Sequence, residues 1–253
     1  MNGFTDKSLR YLTILDVLIL TTIFFGSAII SSHLGYVQLQ ESVAEAPTDW
    51  LLMEGNHWQS IGEECLWLVL AFGYLYWRKF DWRHFDFSVD KQSALKTVIY
   101  VLLAGTVATL YEYAQAWVHF GLFPEQYPTE IGEGLATEGS AEVMNEAAGL
   151  PWDYWTGSFI LFALLNGFFE ELFFLGVVFA VKPKALPYMV VFSLLVRFSF
   201  HTYQGIMGAL TITTLGITFA LLRYRYRQLL PFMWAHSVFD LVGLVLPFYL
   251  LWN

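Results

Sequence analysis

The chain has little charge and almost no cysteine. Cys65 stands alone, so no internal disulfide can form and nothing about the redox compartment follows from it. Asp, Glu, Lys and Arg together make up only 14% of 253 residues, which excludes the solvated surface of an ordinary soluble domain. Basic residues are the scarcer sign, 13 against 22 acidic, and they are scattered rather than gathered into a patch. That distribution argues against a nucleic-acid partner. Also missing are an internal repeat, a low-complexity tract and an H-E-x-x-H zinc motif.

What the chain has instead is apolar and aromatic bulk, 57% hydrophobic and 19% aromatic. Crossing a ~30 Å hydrocarbon layer takes roughly 20 apolar residues, and stretches of that length recur along the whole chain. The expected fold is all-α: a single polytopic transmembrane helical bundle covering residues 1–253. Spans are predicted near 11–31, 60–77, 97–120, 156–181, 187–203, 206–222 and 229–252, about seven, with six to eight allowed by the breaks at "HTYQG" and Pro247. Residues 1–31 share a basic start and apolar core with signal peptides, but the core is long for one, and a retained first span is expected.

The few basic residues set the topology. Lys7 and Arg10 precede the first span, Arg78, Lys79, Arg83, Lys91 and Lys96 separate the second from the third, Lys182 and Lys184 the fourth from the fifth, and Arg223, Arg225 and Arg227 the sixth from the seventh. All twelve fall on one side, which the positive-inside rule makes cytoplasmic, with the N-terminus inside. The opposite loops, 32–59 and 121–155, contain no Lys or Arg and are rich in acid, and 121–155 is read as an acidic extracytoplasmic loop. The expected location is a bacterial inner (cytoplasmic) membrane, with the protein integral and multi-pass.

Ionisable residues inside the spans are costly in lipid and must face the bundle interior or a wet cavity. They are Asp16, Glu112, Glu170, Glu171, Arg197, His201, His236 and Asp240, with Glu63 and Glu64 near a span end. At ~1.5 Å per helical residue, Glu170, His201, His236 and Asp240 come out roughly 18, 21, 13 and 20 Å from the basic end. Residues four apart share a helix face, so Asn166 pairs with Glu170, Arg197 with His201, and His236 with Asp240. Glu170 and Glu171 point about 100° apart and cannot play the same role. Three helices thereby aim acids, imidazoles and a guanidinium at one depth in residues 156–253, a set suited to general acid/base chemistry on water. Asp16 reads as structural, Glu63 and Glu64 as solvated, Glu112 as a packing or channel residue, and Gly205, Gly208, Thr211 and Gly216 as a small-residue helix interface.

Glu170-Glu171 followed by Gly176, then His201, then "HSVFD" with His236 and Asp240, resembles the CPBP family, the CAAX-protease and bacteriocin-processing intramembrane endopeptidases. The family pattern is E-E-x-x-x-R, F-x-x-x-H and H-x-x-x-N or H-x-x-x-D, and the resemblance covers residues 166–240. It implies a glutamate-dependent membrane protease acting on a membrane-embedded, lipid-linked or otherwise hydrophobic peptide. In that scheme Glu170 is the general base, Glu171 its supporting carboxylate, His201 a water-positioning or proton-transfer partner, and His236 with Asp240 the oxyanion-side pair. No cofactor is implied, although the family was long described as metal-dependent and Glu, His and Asp are acceptable Zn ligands. The chain departs from the pattern twice: Leu175 stands where the family has Arg, and Arg197 where it has Phe. Arg197 is expected to replace the missing guanidinium. Three other readings stay open: a catalytically lost CPBP-fold scaffold or assembly factor, a proton-relay transporter through Glu112 and Glu170, and a polar network that only fixes helix register.

Overall fold

The computed structural model describes residues 10–41, 54–122 and 156–243. Seven α-helices follow in order among them: α1 (Ile14–Glu41), α2 (Glu54–Trp77), α3 (Ser93–Leu122), α4 (Gly157–Glu171), α5 (Leu186–Phe200), α6 (Gly205–Arg225) and α7 (Leu230–Gly243). Each predicted span meets one of them. Four stretches, Ile14–Val37, Ser93–Val118, Gly157–Ala180 and Thr202–Arg225, are long and apolar enough to cross a membrane, and α5 is a shorter apolar helix. With apolar residues around most of their circumference, such helices suit a solvent of hydrocarbon. The acidic loop expected at 121–155 and Pro247 lie almost wholly or wholly outside the described residues.

The basic segments do gather at one end. Leu12 pairs with Val181 in an isolated bridge and its N–H donates to the Ala180 carbonyl at 2.9 Å. His84 meets the Arg10 carbonyl at 3.1 Å, and the Leu229 N–H donates to the Asp86 carbonyl at 3.1 Å. Just before α3, Asp90 accepts from Lys96 of that helix's first turn at 2.8 Å, which holds the Asp90 carboxyl low, at about 2. Asp16 is structural, as expected. Thr13 and Asp16 cap the start of α1 reciprocally, Thr13 N to Asp16 Oδ2 at 2.8 Å and Asp16 N to Thr13 Oγ1 at 3.2 Å. The same carboxylate takes Arg78 at 2.6 Å and Tyr74 at 2.6 Å, which fixes the end of α2 to the start of α1.

At the other end His57 Nδ1 and Ser158 Oγ lie 3.1 Å apart, so α2 and α4 start side by side and run in the same direction. An aromatic cluster then locks α1 onto α4 and its extension: Phe25 lies within 5.8 Å of Phe169, 5.1 Å of Phe173 and 5.0 Å of Phe174, centroid to centroid. Buried hydrophobic residues of all seven helices join one core around it.

Helices α4 and α7 approach each other closely. A Cβ on Gly167 would stand 2.5 Å from both the backbone nitrogen and the Oγ of Ser237, so a residue without a side chain is required there. Ser237 Oγ in turn donates to the Leu164 carbonyl at 3.2 Å. This seam sets Asn166 and Glu170 against His236 and Asp240. Gly167→Ala is therefore expected to push the two helices apart, destabilising by about 1–3 kcal/mol. A wild-type midpoint in detergent thermal unfolding would contradict that.

Candidate active site

The two glutamates end α4, and the helix changes character immediately after them. Leu172–Val177 is π-helical and Val178–Ala180 is a 3₁₀ turn, so the 24-residue stretch Gly157–Ala180 is composite. Single π turns inside helices concentrate at functional sites because they leave a carbonyl outside the i→i−4 ladder. Here the buried Arg223 takes one: its Nε donates to the Leu175 carbonyl at 3.1 Å. Position 175, where the family pattern has an Arg, thus lies in a π turn whose carbonyl a different arginine satisfies.

Glu171 is fully buried and held from two sides. Arg197 Nη2 donates to its Oε1 at 2.6 Å, and His236 Nδ1 lies 2.7 Å from the same oxygen. A carboxylate oxygen only accepts, so Nδ1 carries the hydrogen and Nε2 is the other, outward nitrogen of the ring. That Nε2 lies 3.5 Å from Asp240 Oδ1 and 3.9 Å from Glu170 Oε2. Asn166 Nδ2 spans the remaining gap, 2.9 Å from Asp240 Oδ2 and 3.3 Å from Glu170 Oε1. Glu170 Oε2 and Glu171 Oε2 are buried with no hydrogen-bond partner among the described residues.

Arg197 is itself enclosed. Its guanidinium lies 4.1 Å above the Phe174 ring, Nη1 is 3.9 Å from Glu170 Oε2, and a Cβ on Gly216 would meet its Cδ at 2.8 Å. The small residue on α6 is what leaves room for the arginine on α5. An arginine in low dielectric needs an acidic partner, and the structure supplies two.

His201 follows the last turn of α5, buried, with Nδ1 donating to the Arg197 carbonyl at 2.9 Å. Its ring packs on Phe200 at 4.1 Å. In the neutral ring this leaves Nε2 as the acceptor. The bonds that orient His201 therefore come from its own helix, whereas Asn166, Glu170, Glu171, Arg197, His236 and Asp240 form one connected cluster.

Two sequence expectations need correction. Glu112 is exposed on α3, so it lines neither the core nor an interior channel. Glu64 is not solvated: it is 8% exposed, Oε2 has no hydrogen-bond partner among the described residues, and its charge interacts with Glu170, Asp240 and His236. Counting from its adjacent span end placed it too near water. The signal that would have found it is its spacing of seven, two helical turns, from His57.

Glu171 and Asp240 are engaged by Arg197 and Asn166, and among the described residues no three His, Cys, Asp or Glu side chains are arranged to hold an ion.

No curated protein and no solved structure matches the chain. Residues 152–242 match the family model of the type II CAAX prenyl endopeptidase, Rce1-like, a protease family. That span contains every residue of the connected cluster, while Glu64 lies outside it. By its apolar helices the chain is an integral membrane protein, and this segment of it is similar to the CAAX-type protease family.

Proposed function

We propose that the chain is an intramembrane endopeptidase that hydrolyses a peptide bond in a membrane-embedded or membrane-proximal substrate, lipid-linked or hydrophobic, with Glu170 activating the water. One observation carries this reading. Glu170 Oε2 is buried, lacks a hydrogen-bond partner among the described residues and faces His236 Nε2 across 3.9 Å, while Glu171 is taken up by Arg197 and His236. That gap is too long for a direct hydrogen bond and suits one water touching both atoms.

In the reaction, Glu170 takes a proton from the water as its oxygen adds to the substrate carbonyl carbon. The proton then passes to the amine nitrogen as the C–N bond breaks, leaving a carboxylic acid and an amine, and the acid gives up the water's second proton on release. His236, held by Glu171 and Asp240, hydrogen-bonds the developing oxyanion when its Nε2 carries a proton. Glu171 and Arg197 orient that imidazole, and His201 Nε2 helps place the water. The basic end of the bundle is cytoplasmic in this reading, and the protein crosses the membrane several times. None of these steps uses a metal, so cleavage is expected to persist in EDTA or 1,10-phenanthroline, and chelator loss restored by Zn²⁺ would refute that.

A second reading, a scaffold that has lost catalysis, draws on Arg197 Nη1 lying 3.9 Å from Glu170 Oε2. An arginine that closed onto Glu170 would hold it as a permanent ion-pair partner instead of a base. Comparing the N-termini of membrane proteins in cells carrying wild type, Glu170→Ala or His236→Ala separates the two. The protease reading expects termini that vanish in both variants; unchanged termini at normal expression favour the scaffold.

A further inference from the structure

The family match begins at residue 152, so it is silent on the first three helices. Yet α2 brings a carboxylate to the cluster. The contact between His57 and Ser158 at 3.1 Å fixes the relative heights of α2 and α4, and both helices run from there toward the basic end. The parallel direction is fixed at that end too, where Arg78 after α2 and Val181 after α4 both attach to the start of α1. Two turns on from His57, about 10.5 Å along the axis and on the same face, comes Glu64. The same distance along α4 from Ser158 ends beside Asn166, whose amide bridges Glu170 and Asp240. Glu64 is therefore level with the cluster and on the face of α2 that meets α4.

Its environment lacks something. Glu64 is more than nine-tenths buried, and Oε2 has no hydrogen-bond donor among the described residues. A buried carboxylate without a cation or donor is unfavourable. Among the described residues no Lys or Arg forms an ion pair with Glu64: Arg197 is bonded to Glu171, and the others belong to the basic segments. With Glu170 and Asp240 also on this side of His236, the space before the proposed base is lined by acid.

We propose that Glu64 is a substrate-positioning residue whose free carboxylate oxygen binds a basic side chain of the substrate peptide beside the bond to be cut. This rests on the peptidase reading above. It adds a substrate class, hydrophobic peptides with Lys or Arg near the cleavage point, and it disfavours acidic ones.

The test measures binding in the uncleaving Glu170→Gln protein, purified in detergent. The probes are fluorescein-labelled hydrophobic peptides that differ only by Lys, Leu or Glu, placed in turn at each of the four positions flanking the central bond. At one position the Lys peptide is expected to bind about tenfold more tightly than the Leu peptide, and the Glu peptide more weakly than either. Adding Glu64→Gln, which keeps the shape and an acceptor but removes the charge, should reduce the Lys preference to less than about twofold. An unchanged preference, or none at any position before Glu64 is altered, overturns the proposal. Should the Gln variant fail to fold, Glu64→Asp is used instead, where a fall to about threefold supports the role and no change refutes it. The catalytic reading fails separately, if the wild-type chain binds these peptides with the Lys preference and cuts none of them.

Discussion

Glu170→Gln is expected to lower peptide cleavage by about 10²- to 10⁴-fold while leaving the fold intact, the range of a lost general base. The amide keeps the volume of the side chain and can still accept from Asn166, which stands 3.3 Å from Oε1. What it loses is the ability to take a proton at Oε2, the atom that faces His236. Initial rates on a quenched-fluorescence membrane peptide, set beside detergent melting curves, give the two readouts. A Gln variant within threefold of wild type at equal stability would mean that Glu170 is not the base. Glu171→Gln tests the division of labour: its loss should track the orientation of His236, so the variant should retain more activity than Glu170→Gln.

Arg197→Met should destabilise the protein by about 3–5 kcal/mol, because it strands Glu171 in the core without its cation. Glu171 is fully buried and its 2.6 Å bond to Arg197 is the shortest in the cluster. The double variant Arg197→Met with Glu171→Gln should recover most of that stability, since the stranded charge is gone and Gln can still accept from His236 Nδ1. Denaturation midpoints of the four proteins form a mutant cycle. Additive effects would show that the pair is not coupled and that Arg197 does not stand in for the arginine absent at Leu175. Arg197→Lys should be intermediate, since an ammonium cannot stack on Phe174 and reach both glutamates as a planar guanidinium does.

The helices were legible because hydrocarbon as solvent demands long apolar segments, and the twelve basic residues mark their ends. The facing of Asn166 with Glu170 and of His236 with Asp240 was legible too, since i,i+4 spacing is fixed by helix geometry. The π turn at Leu172–Val177 was not: its run of Leu, Phe, Gly and Val is what an ordinary buried helix would carry, and the carbonyl it frees is claimed by Arg223, 48 residues away. Burial of Glu64 and exposure of Glu112 were misjudged for a related reason. Depth along a helix can be counted, but which side of the helix meets a neighbour depends on packing partners far off in sequence. The separate partners of Glu170 and Glu171 likewise became visible only with Arg197 and His236 placed around them.

The glycine seam between α4 and α7 has a further consequence for how a substrate gets in. With the Gly167 and Ser237 backbones touching, the walls bearing Glu170, Glu171, His236 and Asp240 move as one piece, and widening between them would break the cluster it admits substrate to. A doorway must open along another wall. The wall formed by α2 meets α4 near its start through the side-chain contact between His57 and Ser158, backed by the His57 ring against Phe159 and Phe162, residues that lie outside the catalytic cluster.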